Sequence, residues 1–171
     1  MVRAVAIQRF GNPDGMALVE IAAPEPEAGQ VVIAIEAIGV GGDFVELSGG
    51  VSSVDAVALG GPVPVAHFAL QHAHFKTGDT VLVRGAAGSI GIAAVEIAAR
   101  GGAGAVAVTT LSAQWGERLR ALGATEVLDR SGKGDAAYDL IIDIVGGPDL
   151  PDFIDRLAPN GRLMDGIVLT P

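Results

Sequence analysis

The sequence predicts an α/β protein in which helices cover a parallel sheet of about five strands, preceded by a small β segment. Two observations support this. From Asp79 onward, short runs of Val, Ile, Leu and Ala alternate with helical stretches of about ten residues, which is typical of consecutive βαβ units. Residues 1–40 instead contain short Val/Ile/Ala-rich runs separated by Gly and Pro, which indicates strands joined by turns.

The composition excludes several classes of protein. The 171 residues include 11 Lys and Arg against 20 Asp and Glu, a net charge of −9, so neither nucleic acid nor an anionic membrane is an expected partner. No apolar run is long enough to span a bilayer, and the amino terminus lacks a signal-peptide pattern, so we expect a cytoplasmic protein. Cysteine is absent, which excludes disulfides, thiolate metal ligands and a cysteine nucleophile.

Residues 1–50 are predicted to form a β segment. Its expected strands are Val2–Gln8, Ala17–Ile21 and Val31–Ala37. Three strands alone make a marginal domain, because they bury little apolar surface.

Residues 51–78 are predicted to connect the two parts, with one short helix over Val54–Leu59, and residues 79–171 to form the α/β domain. The domain's expected strands are Thr80–Arg84, Ala105–Thr109, Thr125–Leu128, Asp139–Ile144 and Arg162–Leu169. Its expected helices are Ile90–Arg100, Ala113–Leu122 and Pro148–Leu157.

The strongest chemical signal is a glycine-rich loop between the first strand and the first helix of this domain. On the G-x-G-x-x-G pattern, Ala86 takes the first glycine position while Gly88 and Gly91 match the other two. Gly88 would let a diphosphate approach the backbone, Gly91 would let the helix pack on the strand, and the helix amino terminus would attract phosphate. The loop predicts a Rossmann-type dinucleotide site, with a purely structural turn as the alternative. Its candidate cofactor-binding residues are Gly85, Ala87, Gly88, Ser89, Ile90 and Gly91.

The end of the second strand indicates which dinucleotide binds. NAD sites usually place an acidic residue there to hold the ribose 2′-hydroxyl, but this chain has Thr109 and Thr110, and its next carboxylate is Glu117. The missing acid favours NADPH over NADH. Arg118 is a candidate counter-charge for the 2′-phosphate, with a solvated helix face as the alternative.

Four segments of the domain resemble the zinc-independent quinone oxidoreductases of the medium-chain dehydrogenase/reductase superfamily: Gly78–Gly91, Arg120–Asp129, Tyr138–Gly147 and Leu157–Leu163. Residues 1–50 look like the start of that family's GroES-like substrate domain. The resemblance implies hydride transfer from NADPH to a small quinone or activated alkene. It also implies that Val145 and Gly146 contact the cofactor.

The chain also departs from the family pattern. Members are roughly twice as long, and around residues 48–53 most of the GroES-like domain is missing, which makes this a strongly abbreviated version. Gly41, Gly42 and Ser48 replace family residues of the substrate pocket, so the substrate half of the site departs from the family. Because the cofactor carries the reaction in this family, no side chain is nominated as catalytic. A non-redox biosynthetic enzyme (a cyclase or isomerase), a binding module that keeps the fold, and an engineered deletion remain alternatives.

The remaining features have structural interpretations. His67, His72 and His74 are expected at the surface or as caps rather than at a metal site, because no Cys or clustered carboxylate accompanies them. Asp143 is expected to be structural. Trp115 is expected to pack or to be partly exposed rather than to stack on a cofactor.

The last predicted strand, Arg162–Leu169, is expected at the edge of the sheet. It is largely apolar, and an exposed apolar edge is a template for association. We therefore expect a homodimer formed through this strand, with a monomer covered by residues 1–40 as the alternative.

Overall fold

The computed structural model describes residues 1–9, 15–29, 49–132 and 134–165. The chain divides into two compact units, residues 1–36 and 37–171. The predicted strand Val31–Ala37, the family departures at Gly41, Gly42 and Ser48, and residues 166–169 of the predicted strand Arg162–Leu169 lie outside the described residues.

The first unit contains a two-stranded antiparallel sheet of β1 (Val2–Ile7) and β2 (Met16–Ile21). The two strands pair along their whole length, from Val2 opposite Ile21 to Ile7 opposite Met16. All four of these apolar side chains are exposed. Both strands confirm the prediction to within one residue at each end.

The second unit contains the predicted Rossmann-type parallel sheet with its flanking helices. Its elements are α1 (Ser53–Gly60), α2 (Pro62–His72), β3 (Thr80–Arg84), α3 (Ser89–Arg100), β4 (Ala105–Thr109), α4 (Ala113–Ala121), β5 (Glu126–Leu128), β6 (Tyr138–Asp143), α5 (Leu150–Ile154) and β7 (Leu157–Asp165). The parallel sheet has the order β5-β4-β3-β6-β7, which is a doubly wound order with its switch between β3 and β6.

Residues of β3, β4 and β6 contribute side chains to both faces of the sheet. Val81, Val83 and Ile142 pack on the face that carries α2, α3 and α4, whereas Leu82 and Ile141 pack with Phe153 of α5 on the other. All six residues are at most 1% exposed. Burial on both faces explains why these strands have continuous apolar sequences rather than alternating ones.

Three elements differ from the sequence prediction. Helix α2 lies in the connector, where the sequence pattern does not predict it; it begins at Pro62, a favourable first helical position, and buries Ala66, Ala69 and Leu70. Helix α5 is shorter than expected. Strand β7 begins at Leu157 rather than Arg162, and passes Pro159, Asn160 and Gly161 with an irregular register and a φ of 65° at Asn160.

Within the part of the chain that the structure describes, no helix has the length and apolar character needed to cross a membrane.

Candidate functional site

The glycine-rich loop forms a tight turn between β3 and α3. Gly85 adopts a φ of +79°, and its N–H donates to Thr109 Oγ1 (3.2 Å), which ties the loop to β4. The Gly88 N–H donates back to the Gly85 carbonyl (3.2 Å). Gly88 is the N-cap of α3 and supplies no side-chain cap, so the N–H groups of the first helical turn are left for another acceptor.

The two glycines that match the dinucleotide pattern are constrained differently. A Cβ on Gly91 would lie 2.6 Å from Ala86 Cα and 2.7 Å from the Gly85 carbonyl oxygen, so the close packing of α3 on the loop requires glycine. A Cβ on Gly88 would meet only the Gly85 oxygen, at 3.6 Å, and its φ of −79° suits any residue. The fold therefore does not require glycine at position 88, whereas a ligand that approaches the backbone there does.

A cleft of about 330 Å³ opens where β3 and β4 end. Its lining residues are Arg84, Gly85, Ala87, Thr109, Thr110, Leu111, Ser112, Trp115, Arg130 and Val145. Five of the predicted site residues are among them: Gly85, Ala87, Thr109, Thr110 and Val145. Gly88, the first helical residues Ser89, Ile90 and Gly91 of α3, and Gly146 after β6 adjoin the cleft's lining residues but do not line it themselves.

Hydroxyl groups take the place of a carboxylate at the end of β4. Thr109 is buried and its Oγ1 accepts from Gly85, while Thr110 Oγ1 accepts from the Ser112 N–H (3.3 Å). Ser112 in turn caps α4 by accepting from the Trp115 N–H (3.3 Å). None of the described residues that line the cleft is acidic.

Two arginines lie near this part of the cleft. Arg118, the counter-charge expected from the sequence, is exposed on α4, with its guanidinium 5.1 Å from the centre of the Trp115 ring, and does not line the cleft. Arg130, which sequence reasoning missed, does line it. Its position two residues after β5 was the available signal, because the carboxyl ends of parallel strands meet at one edge. Trp115 lines the cleft and is half-buried.

Comparison with known proteins identifies the superfamily, although no family model matches the sequence. A quinone oxidoreductase from Thermus thermophilus, solved also with NADPH, is similar with a TM-score of 0.70 and 25% identity, over 95% of this chain and 72% of that chain. The CurK enoyl reductase is similar with a TM-score of 0.60 and 28% identity, over 70% of this chain and 39% of that chain.

A curated relative agrees with these structures. The acryloyl-coenzyme A reductase of Metallosphaera sedula is 31% identical over 101 residues. The chain belongs to the medium-chain dehydrogenase/reductase superfamily. The resemblance expected from the sequence is therefore confirmed. The aligned region is 56% of this chain and 29% of the acryloyl-coenzyme A reductase, and matches to three longer synthases cover 3–5% of those proteins.

A buried ion pair holds the second loop of this medium-chain dehydrogenase/reductase domain, between β6 and α5. Arg84 Nη1 donates to Asp143 Oδ2 (2.5 Å) and to the Gly146 carbonyl (3.1 Å), while Nη2 lies 2.5 Å from Asp149 Oδ2. Asp143 Oδ1 accepts from the N–H groups of Val145 (2.7 Å) and Gly146 (3.0 Å). Asp143 thus has the structural role expected from the sequence.

The surroundings of Arg84 favour its charged form. Burial by itself lowers the pKa of Arg84, but hydrogen bonds and charges from Asp149 and Asp143 outweigh burial and raise that pKa. The hydrogen bond from Arg84 lowers the pKa of the Asp149 carboxyl. The Arg84 guanidinium also lies 4.2 Å from the centre of the Phe153 ring. Arg84 is therefore held in ion pairs with Asp143 and Asp149 although it borders the cleft.

The three histidines are exposed, in and just after α2. The His72 ring stacks on Phe68 with centroids 4.3 Å apart, and its Nδ1 lies 3.2 Å from the Phe68 carbonyl oxygen. Across residues 1–9, 15–29, 49–132 and 134–165, no three His, Cys, Asp or Glu side chains group as metal ligands.

Proposed function

We propose that this chain binds NADPH in the cleft at the carboxyl ends of β3 and β4 and reduces a quinone or an activated alkene. The observation that carries the proposal is Gly88. Its Cβ position is open and its backbone conformation unrestricted, yet it is glycine and caps α3 without a side chain. Such a residue fits a phosphate group that approaches the backbone.

The residues present divide the binding task. The amides of Ser89 and Ile90 are suited to bind the diphosphate, because they begin α3 at its positive dipole end. Thr109 and Thr110 leave space for a phosphorylated ribose. Val145 and Gly146 belong to the loop that Arg84 and Asp143 hold in place. NADPH supplies the hydride when bound, so the protein needs no nucleophile of its own.

Three relatives support the reaction class. One is a quinone oxidoreductase, and the names of the other two are acryloyl-coenzyme A reductase and enoyl reductase. This chain spans only part of those proteins. A small quinone or an α,β-unsaturated carbonyl compound is the acceptor class to test first.

Titration with NADPH tests the binding step, and Trp115 in the cleft lining is a built-in fluorescence probe. Gly88→Val should weaken NADPH binding by about tenfold or more, which is about 1.4 kcal/mol, because the branched side chain occupies the phosphate approach. Gly60→Val is the matched control, since a Cβ at Gly60 meets nothing within 4 Å. Equal NADPH affinity in folded Gly88→Val and wild-type protein would refute the binding site.

Turnover of a quinone and enone panel with NADPH tests the redox step. Oxidation of NADPH coupled to loss of the acceptor supports the reductase proposal. NADPH binding without turnover on any acceptor would contradict it and favour a module that keeps the fold and binds the cofactor only.

We also propose that the protein is a homodimer formed through Arg162–Leu169. Strand β7 pairs with β6 on one side and is the last strand of the sheet among the described residues. Its Leu163 and Met164 are half-buried apolar residues next to that edge. Light scattering over a concentration series should give the mass of a dimer, and a constant monomer mass would overturn the proposal.

A further inference from the structure

We propose that Arg130 binds the 2′-phosphate of NADPH and so determines which dinucleotide the cleft selects. The inference rests on the proposed NADPH binding and adds to it the residue that discriminates between cofactors. It replaces Arg118 in that role.

Arg130 is placed in the cleft by the order of the strands. Thr109 pairs with Leu128, and the Thr110 N–H donates to the Leu128 carbonyl (3.2 Å), so the chain segments that leave β4 and β5 run side by side. Arg130 is two residues beyond this contact and lines the same cleft as Thr110 and Ser112. A guanidinium and two hydroxyl-bearing residues therefore border one part of the cleft, where dinucleotide-binding folds hold the adenosine ribose.

Arg84 and Arg130 both line this cleft, but of the two only Arg84 forms ion pairs among the described residues. The charge of Arg130 is therefore left to interact with a ligand. Within the described residues its guanidinium makes no hydrogen bond and no ion pair. Its charge contributes to lowering the pKa of Asp149, but the hydrogen bond from Arg84 is the larger cause. Arg84 is committed to Asp143, Asp149 and the Gly146 carbonyl. Arg118 lies over Trp115 outside the lining.

The chemistry of the ligand explains the selection. A phosphate monoester carries nearly two negative charges, and a guanidinium can donate two parallel hydrogen bonds to its oxygens. The 2′-hydroxyl of NADH offers no charge to Arg130, and the cleft has no carboxylate among its described lining residues to accept from that hydroxyl. The same side chains therefore favour the phosphorylated ribose and leave the unphosphorylated one without a strong partner.

The decisive experiment compares NADPH and NADH affinities by calorimetry in wild-type, Arg130→Ala and Arg118→Ala proteins. Calorimetry is preferred because loss of Arg118 changes the surroundings of Trp115. Arg130→Ala should weaken NADPH binding by about tenfold and change NADH binding by less than about twofold. Arg118→Ala should leave the NADPH/NADH ratio unchanged. Thermal unfolding of both variants checks the fold, which exposed substitutions should leave intact.

A fragment assay isolates the phosphate from the nicotinamide. Adenosine 2′,5′-bisphosphate should compete for the wild-type cleft better than adenosine 5′-monophosphate, and Arg130→Glu should remove that advantage. Rising salt should reduce the advantage in wild-type protein, because the discriminating contact is between charges.

The outcomes separate the two proposals. If wild-type protein binds neither dinucleotide, the proposed function fails and this inference fails with it. If it binds both equally, or if Arg130→Ala keeps the wild-type preference, NADPH binding stands and the role of Arg130 is wrong. If Arg118→Ala abolishes the preference instead, Arg118 is the counter-charge and Arg130 is not.

Discussion

The central strands β3 and β6 are joined by side chains at both ends, and the two ends differ in chemistry. At the amino end, Asp139 Oδ2 accepts from the Thr80 N–H (2.8 Å) and hydroxyl (2.7 Å), in a half-buried contact between a neutral residue and a carboxylate. At the carboxyl end, Arg84 and Asp143 form an ion pair that is at most 1% exposed.

The difference follows from what each end supports. The amino end fixes only the starts of the strands, with Arg162 of β7 donating to the Asp139 carbonyl (3.3 Å) and pairing with Asp79 (2.6 Å). The glycine loop follows β3 and the β6–α5 loop follows β6, so both begin at the carboxyl end. Both loops border the candidate cofactor cleft. Damage at the carboxyl end should therefore change stability and cofactor binding together, whereas damage at the amino end should change stability alone.

The largest expected effect is at the carboxyl end. Arg84→Ala leaves Asp143 buried and unpaired and should lower the free energy of unfolding by about 3–5 kcal/mol. Urea unfolding measures this loss. The double variant Arg84→Met with Asp143→Leu should recover much of it, because no buried charge remains. A loss in Arg84→Ala below about 1 kcal/mol would mean that the pair lies in a far more polar environment than the structure indicates.

An intermediate effect is expected in the first turn of α3, which follows the glycine loop. Gly91→Ala should cost about 1–3 kcal/mol, because its Cβ meets backbone atoms of Ala86 and Gly85 that cannot move aside cheaply. Gly88→Ala should be neutral, or stabilising by up to about 1 kcal/mol, since alanine restricts the unfolded chain. Denaturation of the two variants side by side measures the contrast, and equal losses would contradict it.

The smallest effect is expected at the amino end, where it should depend on pH. The Thr80 N–H first, then the Thr80 hydroxyl and the charge of Arg162, lower the pKa of Asp139. A folded-state pKa below the unfolded value of about 3.9 means that this stabilisation is present above that pH and is lost as the pH falls through the folded value.

Asp139→Asn should therefore lower the free energy of unfolding by about 1 kcal/mol at neutral pH and by less in acid. The stability of this variant should then fall less steeply with decreasing pH than that of the wild type. Unfolding midpoints from neutral to acidic pH provide the measurement. Asp135→Asn, at an exposed position, is the control and should follow the wild-type curve. An acid limb of Asp139→Asn as steep as that of wild type would assign the acid sensitivity to another group.

Local signals made most of the domain predictable. The apolar runs of β3, β4 and β6, the glycine spacing and the Thr-Thr end of β4 are each contained in a few consecutive residues. The Arg84–Asp143 pair was not predictable, because it depends on the register between β3 and β6. Arg130 was missed although its place two residues after β5 was a usable signal, because a lone arginine in a loop has no local pattern that marks it as a ligand residue. The early start of β7 was missed because Pro159 and Gly161 are typical of a turn.

Gly88 also determines what different mutational screens would find. A library randomised at this position and sorted by heat resistance should tolerate many residues, since the folded chain leaves space for a side chain there. The same library sorted by nucleotide capture should return glycine almost alone. At Gly91 both selections should converge on glycine, so comparing the two sorts separates a residue kept for its ligand from one kept for its fold.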